Sequence, residues 1–207
     1  MAVSTRLSSQ NRRTAILAAA IRLFAERGFR GVTTRELAAS LGVSEPVLYQ
    51  HFPSKRELYT AIIEESKDQH YNDALEGLSL KASLGGDTEF FTHLANAMIH
   101  WHETKPELIR LKLFSNLEGH ELMEEFSDKQ AKPFIDIVVG YIEKRMLDGA
   151  FLEVHPLGAA LAFCGMIGQY CQSTILFRSA ICQGVDRKEM VNLSVQLFLN
   201  GIRKTQL

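Results

Sequence analysis

The chain has 207 residues, of which 46% are hydrophobic and 23% are charged, with only 5 Pro and 3 Cys. This composition excludes a disordered chain and a small disulfide-stabilised domain. The formal net charge is −1, but residues 1–60 contain nine Lys and Arg against four acidic residues, whereas the remaining 147 residues contain 14 bases and 20 acids. A basic N-terminal part joined to an acidic remainder suggests that the first part faces an anion.

Apolar residues recur at intervals of three and four along the chain and strict alternation is rare, so the predicted fold class is all-α, with about nine helices. In the N-terminal part, helices are predicted over residues 10–27, 33–42 and 45–51, and a fourth runs from residue 54 toward residue 71. The sequences TTRE and SKRE fit the capping box that begins a helix, and they mark the starts of the second and fourth helices.

Turn signals are more widely spaced in the rest of the chain. Pro133 lies inside the longest predicted helix and should either kink it or split it in two. The helices predicted in this part span residues 88–104, 106–114, 120–148, 157–177 and 186–204.

Location and redox state are also predicted by the sequence. The apolar segment 157–177 is long enough to cross a membrane, but polar side chains interrupt it and it lacks a basic flank, so no membrane span is expected. No signal peptide is evident, because the N-terminus has no apolar core. Cys164, Cys171 and Cys182 lie in apolar stretches without C-x-x-C spacing, which indicates buried thiols. These features predict a cytoplasmic protein.

Three short helices near the N-terminus, with a turn at Gly42 between the second and third, have the arrangement of a helix-turn-helix. Ala38 supplies the small residue needed where the helices touch, and Phe52 is expected to fill an apolar position beside His51. Any helical hairpin can carry a glycine and a few leucines, but the capping boxes and the basic charge favour a DNA-binding motif. The apolar side chains expected to join the three helices are Leu23, Phe24, Leu37, Leu41, Val43 and Leu48.

Residues 12–64, and above all TTRELAASLGVSEPVLYQHFPSKRELY at residues 33–59, resemble the DNA-binding domain of the TetR (tetracycline-repressor-like) transcriptional regulators. The most specific part of the resemblance is the pattern L-Y-x-H-F-x-S-K. The resemblance implies a helix-turn-helix DNA-binding domain over residues 1–55 and a helical effector-binding and dimerisation domain over residues 56–207. One position departs from the family pattern, because Pro46 stands where Gly or Ala is often found.

The resemblance implies that the third helix enters the major groove and contacts bases. Pro46 and Val47 would then meet thymine methyl groups, and Gln50 would make a bidentate pair with adenine. Gln50 could instead be simply solvated. Glu45 repels phosphate, so it either accepts from a cytosine amine or points away from the DNA.

The resemblance also implies phosphate contacts by polar side chains around the third helix. Tyr49 and His51 could instead be packing residues. Arg12 and Arg13 either reach a neighbouring minor groove or remain a solvated arm. The side chains expected to contact phosphate are Thr34, Arg35, Tyr49, His51 and Lys55.

The last two helices offer a means of pairing two copies of the chain. A two-turn recognition helix makes too few contacts for a specific site, so a symmetric homodimer on a palindrome is expected. The helix over 157–177 is apolar nearly all round, and the final helix has two apolar rows, so each must be covered on two sides. A fully internal helix pair is the alternative.

The middle helices contain much of the aromatic content. By the resemblance this interior encloses an effector, and its aromatic and Met side chains favour an apolar or aromatic small molecule. An ordinary filled core is the alternative. His93 and His100 share a helix face, but their spacing does not suit a metal pair, so neither a metal nor a cofactor is expected. The residues proposed to line an effector site are Phe91, Leu94, Met98, Trp101, Phe114, Phe134, Phe163 and Tyr170.

These observations predict a ligand-responsive transcriptional repressor that binds a palindromic DNA operator as a homodimer and is released by its effector. Two alternatives stay open: a helical adaptor or small-molecule-binding protein without DNA binding, and an enzyme with no recognisable catalytic motif. The sequence contains no nucleophile elbow, phosphate loop or metal-binding spacing, so catalysis is not expected. The basic charge of residues 1–60 favours DNA binding over both alternatives.

Overall fold

The computed structural model of the chain describes residues 9–84, 86–118, 124, 127–182 and 184–204. Within these ranges the chain forms no strand and only one isolated antiparallel bridge, between Phe151 and Arg203. The all-α prediction is confirmed, with ten α-helices in these ranges where about nine were expected. They are α1 (Ser9–Arg27), α2 (Thr34–Ser40), α3 (Glu45–His51), α4 (Lys55–Glu65), α5 (Gln69–Leu84), α6 (Asp87–Thr104), α7 (Pro106–Glu118), α8 (Lys132–Leu147), α9 (Pro156–Cys171) and α10 (Arg187–Ile202).

Helices α2 and α4 begin where their capping sequences predict. The Glu36 N–H donates to the Thr33 hydroxyl at 3.2 Å, and the Thr33 N–H donates to the Glu36 carboxylate at 2.8 Å, which completes the capping box of α2. The Glu57 N–H donates to the Ser54 hydroxyl at 3.0 Å at the start of α4. Gly42, between α2 and α3, has a φ of +65°, a conformation that residues with a Cβ rarely adopt.

The predicted continuation of the fourth helix toward Tyr71 is wrong. Helix α4 ends at Glu65, and α5 begins at Gln69. The Tyr71 N–H donates to the Asp68 carboxylate at 3.1 Å, which is the hydrogen bond of an N-cap. Asp68, three residues ahead of Tyr71, is therefore the local signal that separates a new helix from a continuation of the old one.

The helix predicted over residues 120–148 is split, which is one of the two outcomes expected from Pro133. Helix α8 begins at Lys132, so Pro133 lies in its first turn, where a missing N–H costs no helical hydrogen bond. A π-helical turn, Ser127–Ala131, precedes it. Part of the predicted helix, residues 120–123 and 125–126, lies outside the described residues.

The two C-terminal predictions correspond to α9 and α10. The segment predicted over 157–177 forms α9 and then a π-helical turn, Gln172–Leu176. Asp186 is the N-cap of α10, since its carboxylate accepts from the Lys188 and Glu189 N–H groups at 2.8 and 3.1 Å. None of the helices within the ranges given above combines the length and the apolar character needed to cross a membrane.

The helices group into two compact units. The first unit contains α1–α4 and α7, and the second contains α5, α6 and α8–α10. The first unit thus includes α4 and α7 together with residues 9–55, the described part of the predicted DNA-binding domain. Phe52 is buried, as expected, and the neighbouring His51 is half-buried. The buried side chains of this unit include Phe24, Leu37, Ala38, Leu48, Phe52 and Tyr59.

The second unit has an aromatic core. The Phe91 ring lies 4.8 Å from the Phe163 ring and 4.7 Å from the Phe198 ring, measured between centroids. The Phe163 and Phe198 rings are 5.2 Å apart. These three side chains come from α6, α9 and α10, so their mutual contact joins the three helices.

A buried carboxylate ties three segments of the second unit together. Asp87, the first residue of α6, accepts from the Tyr141 hydroxyl at 2.8 Å and from the guanidinium groups of Arg145 at 2.8 Å and Arg203 at 3.1 Å. Burial acts to raise the pKa of Asp87, but hydrogen bonds from Arg145 and Tyr141 outweigh it, so the pKa is lowered. The network therefore favours the ionised form of Asp87.

Candidate nucleic-acid interface

Helix α3 buries one side and exposes the other. Leu48 is buried in the first unit, whereas Pro46, Tyr49 and Gln50 are exposed and Val47 is half-buried. Pro46 and Val47 lie four and three residues before Gln50, so they share a helix face with it. The three residues predicted to contact bases are thus brought together on one surface, and a helix of this width fits the major groove of B-DNA.

The Glu45 carboxylate is turned toward α2. It accepts from the Thr34 hydroxyl at 2.8 Å, and the Tyr49 hydroxyl donates to the same Thr34 oxygen at 3.3 Å. Of the two alternatives for Glu45, this geometry supports the one in which the carboxylate points away from bases. The network joins the first residue of α2 to both turns of α3 and so fixes their relative orientation.

Lys55 contacts the turn between α1 and α2. Its ammonium group donates to the Val32 carbonyl at 2.6 Å and lies 4.2 Å from the centre of the Phe29 ring. Burial lowers the pKa of Lys55, and the nearby carboxylates of Glu118 and Glu36 act in the opposite direction. These contacts hold the turn, and the phosphate contact expected of Lys55 stays a prediction. Sequence reasoning missed Phe29, although its place in GFRG, between two glycines, marks a specialised turn.

Two arginines of the first unit differ in their surroundings. The Arg13 guanidinium lies 4.4 Å from the centre of the Phe52 ring, pairs with Glu65 at 3.4 Å and donates to the His51 carbonyl at 3.4 Å. These contacts contradict the solvated arm that was one alternative for Arg13, and the minor-groove contact stays a prediction. Arg35, by contrast, is exposed on α2, and its predicted phosphate contact stays a prediction.

Five of the eight residues proposed for an effector site lie in three different parts of the structure. Phe91, Leu94 and Phe163 are buried in the filled core of the second unit. Tyr170 is half-buried, and its hydroxyl donates to a loop carbonyl at 3.5 Å. Phe114 lies on α7 and belongs to the first unit. The assignment of the whole set to an effector site stays a prediction.

Two of the other three members of that set lie near a tyrosine that sequence reasoning missed. Trp101 and Phe134 are half-buried, and their rings lie 5.8 and 5.2 Å from the Tyr71 ring. Met98 is half-buried on α6, one turn before Trp101. Tyr71 was missed because it was placed at the end of α4, and its position near the start of α5 brings it to this aromatic group.

The described thiols and histidines are not grouped in a way that suits a metal ion. Within the described part of the chain, no three side chains of His, Cys, Asp or Glu are grouped so that they could hold an ion. Cys171 is buried, and burial raises the pKa of its thiol to about 12. Cys164 and Cys182 are half-buried, so only one of the three thiols is as buried as predicted.

Helices α9 and α10 pack against each other and also expose leucines. Leu161 on α9 is 54% exposed, and Leu193 and Leu197 on α10 are 52% and 58% exposed. Leu193 and Leu197 are four residues apart and lie on one face. Both helices thus have an apolar strip that the second unit itself does not cover.

The sequence profile described as "Bacterial regulatory proteins, tetR family" matches residues 16–62. Over 184 residues the chain is 33% identical to the nucleoid occlusion factor SlmA of Citrobacter koseri, a match that covers 83% of this chain and 88% of that protein. The chain belongs to the TetR family. The profile match includes all of α2 and α3, so the TetR-family resemblance noted in the sequence is confirmed.

TetR-family regulators of known structure share the fold. A TetR-family regulatory protein from Rhodococcus RHA1 is 23% identical, has a TM-score of 0.70, and matches over 97% of this chain and 100% of that one. AibR in complex with isovaleryl coenzyme A and operator DNA is 21% identical, has a TM-score of 0.68, and matches over 90% of this chain and 97% of that one. These matches establish the fold of a TetR-family DNA-binding regulator.

Proposed function

We propose that this TetR-family protein is a transcriptional repressor that binds a palindromic operator as a homodimer. The observation that carries the proposal is the exposed face of α3, where Pro46, Val47 and Gln50 lie together above a buried Leu48. The Gln50 amide supplies the donor and acceptor that adenine requires, and the two apolar side chains suit thymine methyl groups. Arg35 supplies an exposed charge for phosphate.

The homodimer is supported by the exposed leucines of α9 and α10. Contiguous apolar surface on a helix pair is costly in water, and a second copy related by a two-fold axis would cover it with the same residues. A two-fold axis would also present two α3 helices to the two half-sites of a palindrome. The proposed dimer and the proposed operator therefore have the same symmetry.

A charge placed in the apolar strip tests the dimer. We expect Leu197→Glu to convert the protein to a monomer at micromolar concentration, because the interface would have to bury a carboxylate. Leu147→Glu is a matched control, since Leu147 is 89% exposed on α8, outside this helix pair. Sedimentation equilibrium measures both variants. A monomeric wild-type protein contradicts the proposal.

We propose that the effector is an apolar or aromatic small molecule that contacts Met98, Trp101 and Phe134. These side chains are only half-buried, whereas Phe91 and Phe163 already fill a core. The structure of AibR contains isovaleryl coenzyme A, whose acyl group is apolar. Trp101 is the single Trp of the chain, so its fluorescence reports directly on this group. Binding of an acyl coenzyme A that leaves the Trp101 emission unchanged would argue against this location.

Operator binding is tested on DNA from the upstream region of the protein's own gene. We expect footprinting to show protection of an inverted repeat, and addition of the effector to remove that protection. An unrelated duplex of equal length, measured at the same salt concentration, is the control. Equal affinity for the two duplexes would contradict a sequence-specific repressor.

A second candidate function is nucleoid occlusion. It is favoured by the match to SlmA, which extends over 83% of this chain and so well beyond the 16–62 region of the family profile. A deletion strain separates the two functions. Septa that form across nucleoids in the absence of the protein support nucleoid occlusion, whereas normal septa with increased transcription beside the operator support repression.

A further inference from the structure

The last residue of α7 holds the turn between α1 and α2. The Arg30 N–H lies between two helices, so it has no helical carbonyl to which it can donate. It points at the Glu118 carboxylate, and both carboxylate oxygens lie 3.2 Å from the Arg30 nitrogen. A hydrogen bond to an ionised acceptor is stronger than one between neutral groups. Glu118 thus satisfies an amide that the helices leave without a partner.

The sequence of the turn provides the space for this carboxylate. Gly28 has a φ of +75°, and a Cβ at that position would overlap the Glu118 carboxylate and come within 3.0 Å of the Phe114 ring. Any residue other than glycine at position 28 would therefore displace the end of α7. The close approach of Glu118 depends on this glycine.

The same turn is held from a second side by Lys55, which donates to the Val32 carbonyl at 2.6 Å. The capping box of α2 begins at the next residue, Thr33. Helix α2 contains Thr34, whose hydroxyl contacts Glu45 of α3, and the exposed Arg35. The position of the turn therefore determines the position of side chains at the candidate DNA interface.

We propose that Glu118 is a positioning residue for DNA binding, which fixes the α1–α2 turn by accepting the Arg30 amide hydrogen bond. This inference rests on the proposed operator binding. Loss of the hydrogen bond lowers the fraction of molecules whose α2 and α3 are correctly placed, and the apparent affinity for DNA falls by the same fraction. A pure charge effect has the opposite sign, since removal of a carboxylate from a DNA-binding unit reduces repulsion of phosphate.

Two conservative variants separate position from charge. Glu118→Asp keeps the charge but withdraws the carboxylate by one methylene, and Glu118→Gln keeps the reach and an acceptor oxygen but removes the charge. We expect Glu118→Asp to weaken binding by about fivefold on the operator and on an unrelated duplex alike, with an unchanged salt slope. Glu118→Gln should stay within about twofold of the wild-type affinity. Glu107→Gln, at an exposed carboxylate in the first turn of α7, is the control for charge alone.

Amide hydrogen exchange measures the strength of the Arg30–Glu118 hydrogen bond in the absence of DNA. The Arg30 amide should exchange about tenfold faster in Glu118→Asp than in the wild-type protein, and little faster in Glu118→Gln. Wild-type affinity in Glu118→Asp combined with tighter binding in Glu118→Gln would overturn the proposal in favour of a charge effect. An Arg30 amide that exchanges at the wild-type rate in Glu118→Asp would overturn it as well. If the wild-type protein binds no DNA, the proposed function fails together with this role, and the exchange data show separately whether Glu118 anchors the turn.

Discussion

The two units of this protein expose different chemistry. The first unit presents a small polar and basic surface, with Arg35, Tyr49 and Gln50 exposed on two seven-residue helices. The second unit presents leucines such as Leu161 and Leu197 and fills its interior with aromatic rings. A surface for a polyanion needs charge and hydrogen-bonding groups on helices held by caps, whereas a surface for a protein partner needs apolar area.

The two units also use charge differently. In the first unit, cations such as Arg13 and Lys55 pack over aromatic rings and contact the chain itself, so only part of its basic charge is offered to solvent. In the second unit, the buried Asp87 pairs with two arginines and accepts a hydrogen bond from a tyrosine hydroxyl. A count of charges along the sequence therefore overstates the cations available to DNA.

The largest effect is expected from Phe163→Ala, which tests whether the second unit is a filled core. Phe163 contacts Phe91 and Phe198, and its removal should lower the free energy of unfolding by about 3–5 kcal/mol because it leaves a cavity. Urea denaturation measures the loss, with Leu147→Ala at an exposed position as the control. A loss below about 1 kcal/mol would indicate that Phe163 lines an open site instead.

Asp87→Asn tests the buried ionic network and should cost about 3 kcal/mol at pH 7, because two guanidinium groups lose their partner. The folded-state pKa of Asp87 lies below its ordinary value of 3.8, so the ionised network stabilises the protein above pH 3.8 and this contribution is lost as the pH falls through the folded-state pKa. The difference in the free energy of unfolding between the wild type and Asp87→Asn should therefore become smaller in acid.

The control for this network is Asp136→Asn. Asp136 pairs with Lys132 on the surface of α8, where both side chains are more than half exposed, so the variant should change stability by less than about 0.5 kcal/mol. Chemical denaturation at a series of pH values measures both variants. An Asp87→Asn loss that persists undiminished well below pH 3.8 would argue that packing, not charge, holds this region together.

In the first unit, Gln50→Ala and Arg35→Gln should weaken DNA binding in different ways. Gln50→Ala should weaken operator binding by about 1–3 kcal/mol and alter base preference, since it removes the proposed base contact. Arg35→Gln should weaken binding to all sequences alike and reduce the salt slope by about 0.9, since it removes the proposed phosphate contact. Fluorescence anisotropy on operator and random duplexes measures both. Equal losses on the two duplexes for Gln50→Ala would remove Gln50 from the reading surface.

The smallest effects are expected at two helical glycines of the second unit, and they have opposite signs. A Cβ at Gly77 would lie 2.8 Å from the His93 ring, so Gly77→Ala should cost about 1 kcal/mol. Nothing lies within 4 Å of a Cβ at Gly140, so Gly140→Ala should stabilise the protein by about 0.5–1 kcal/mol through its helix propensity. Thermal unfolding compares the two, and a stabilising Gly77→Ala would show that the two helices can separate at no cost.

Short-range signals in the sequence predicted most of the first unit. The helix over Glu45–His51, the capping box at Thr33 and the turn at Gly42 all follow from residues within a few positions of one another. The end of α4 was missed because Tyr59, Ile63 and Tyr71 keep a helical spacing of four and eight residues, and only Asp68 marks the start of a new helix. The face that carries Gln50 was predictable from helical spacing alone.

The sequence by itself determined the helical class, most helix starts and the face of α3, because hydrogen-bonded turns and caps are local. Only the tertiary structure decided which aromatic rings fill a core and which charged side chains contact other groups of the chain. Arg30 and Glu118 are 88 residues apart, and Asp87 and Arg203 are 116 residues apart. Contacts at such separations depend on how whole helices pack, and no local pattern records them.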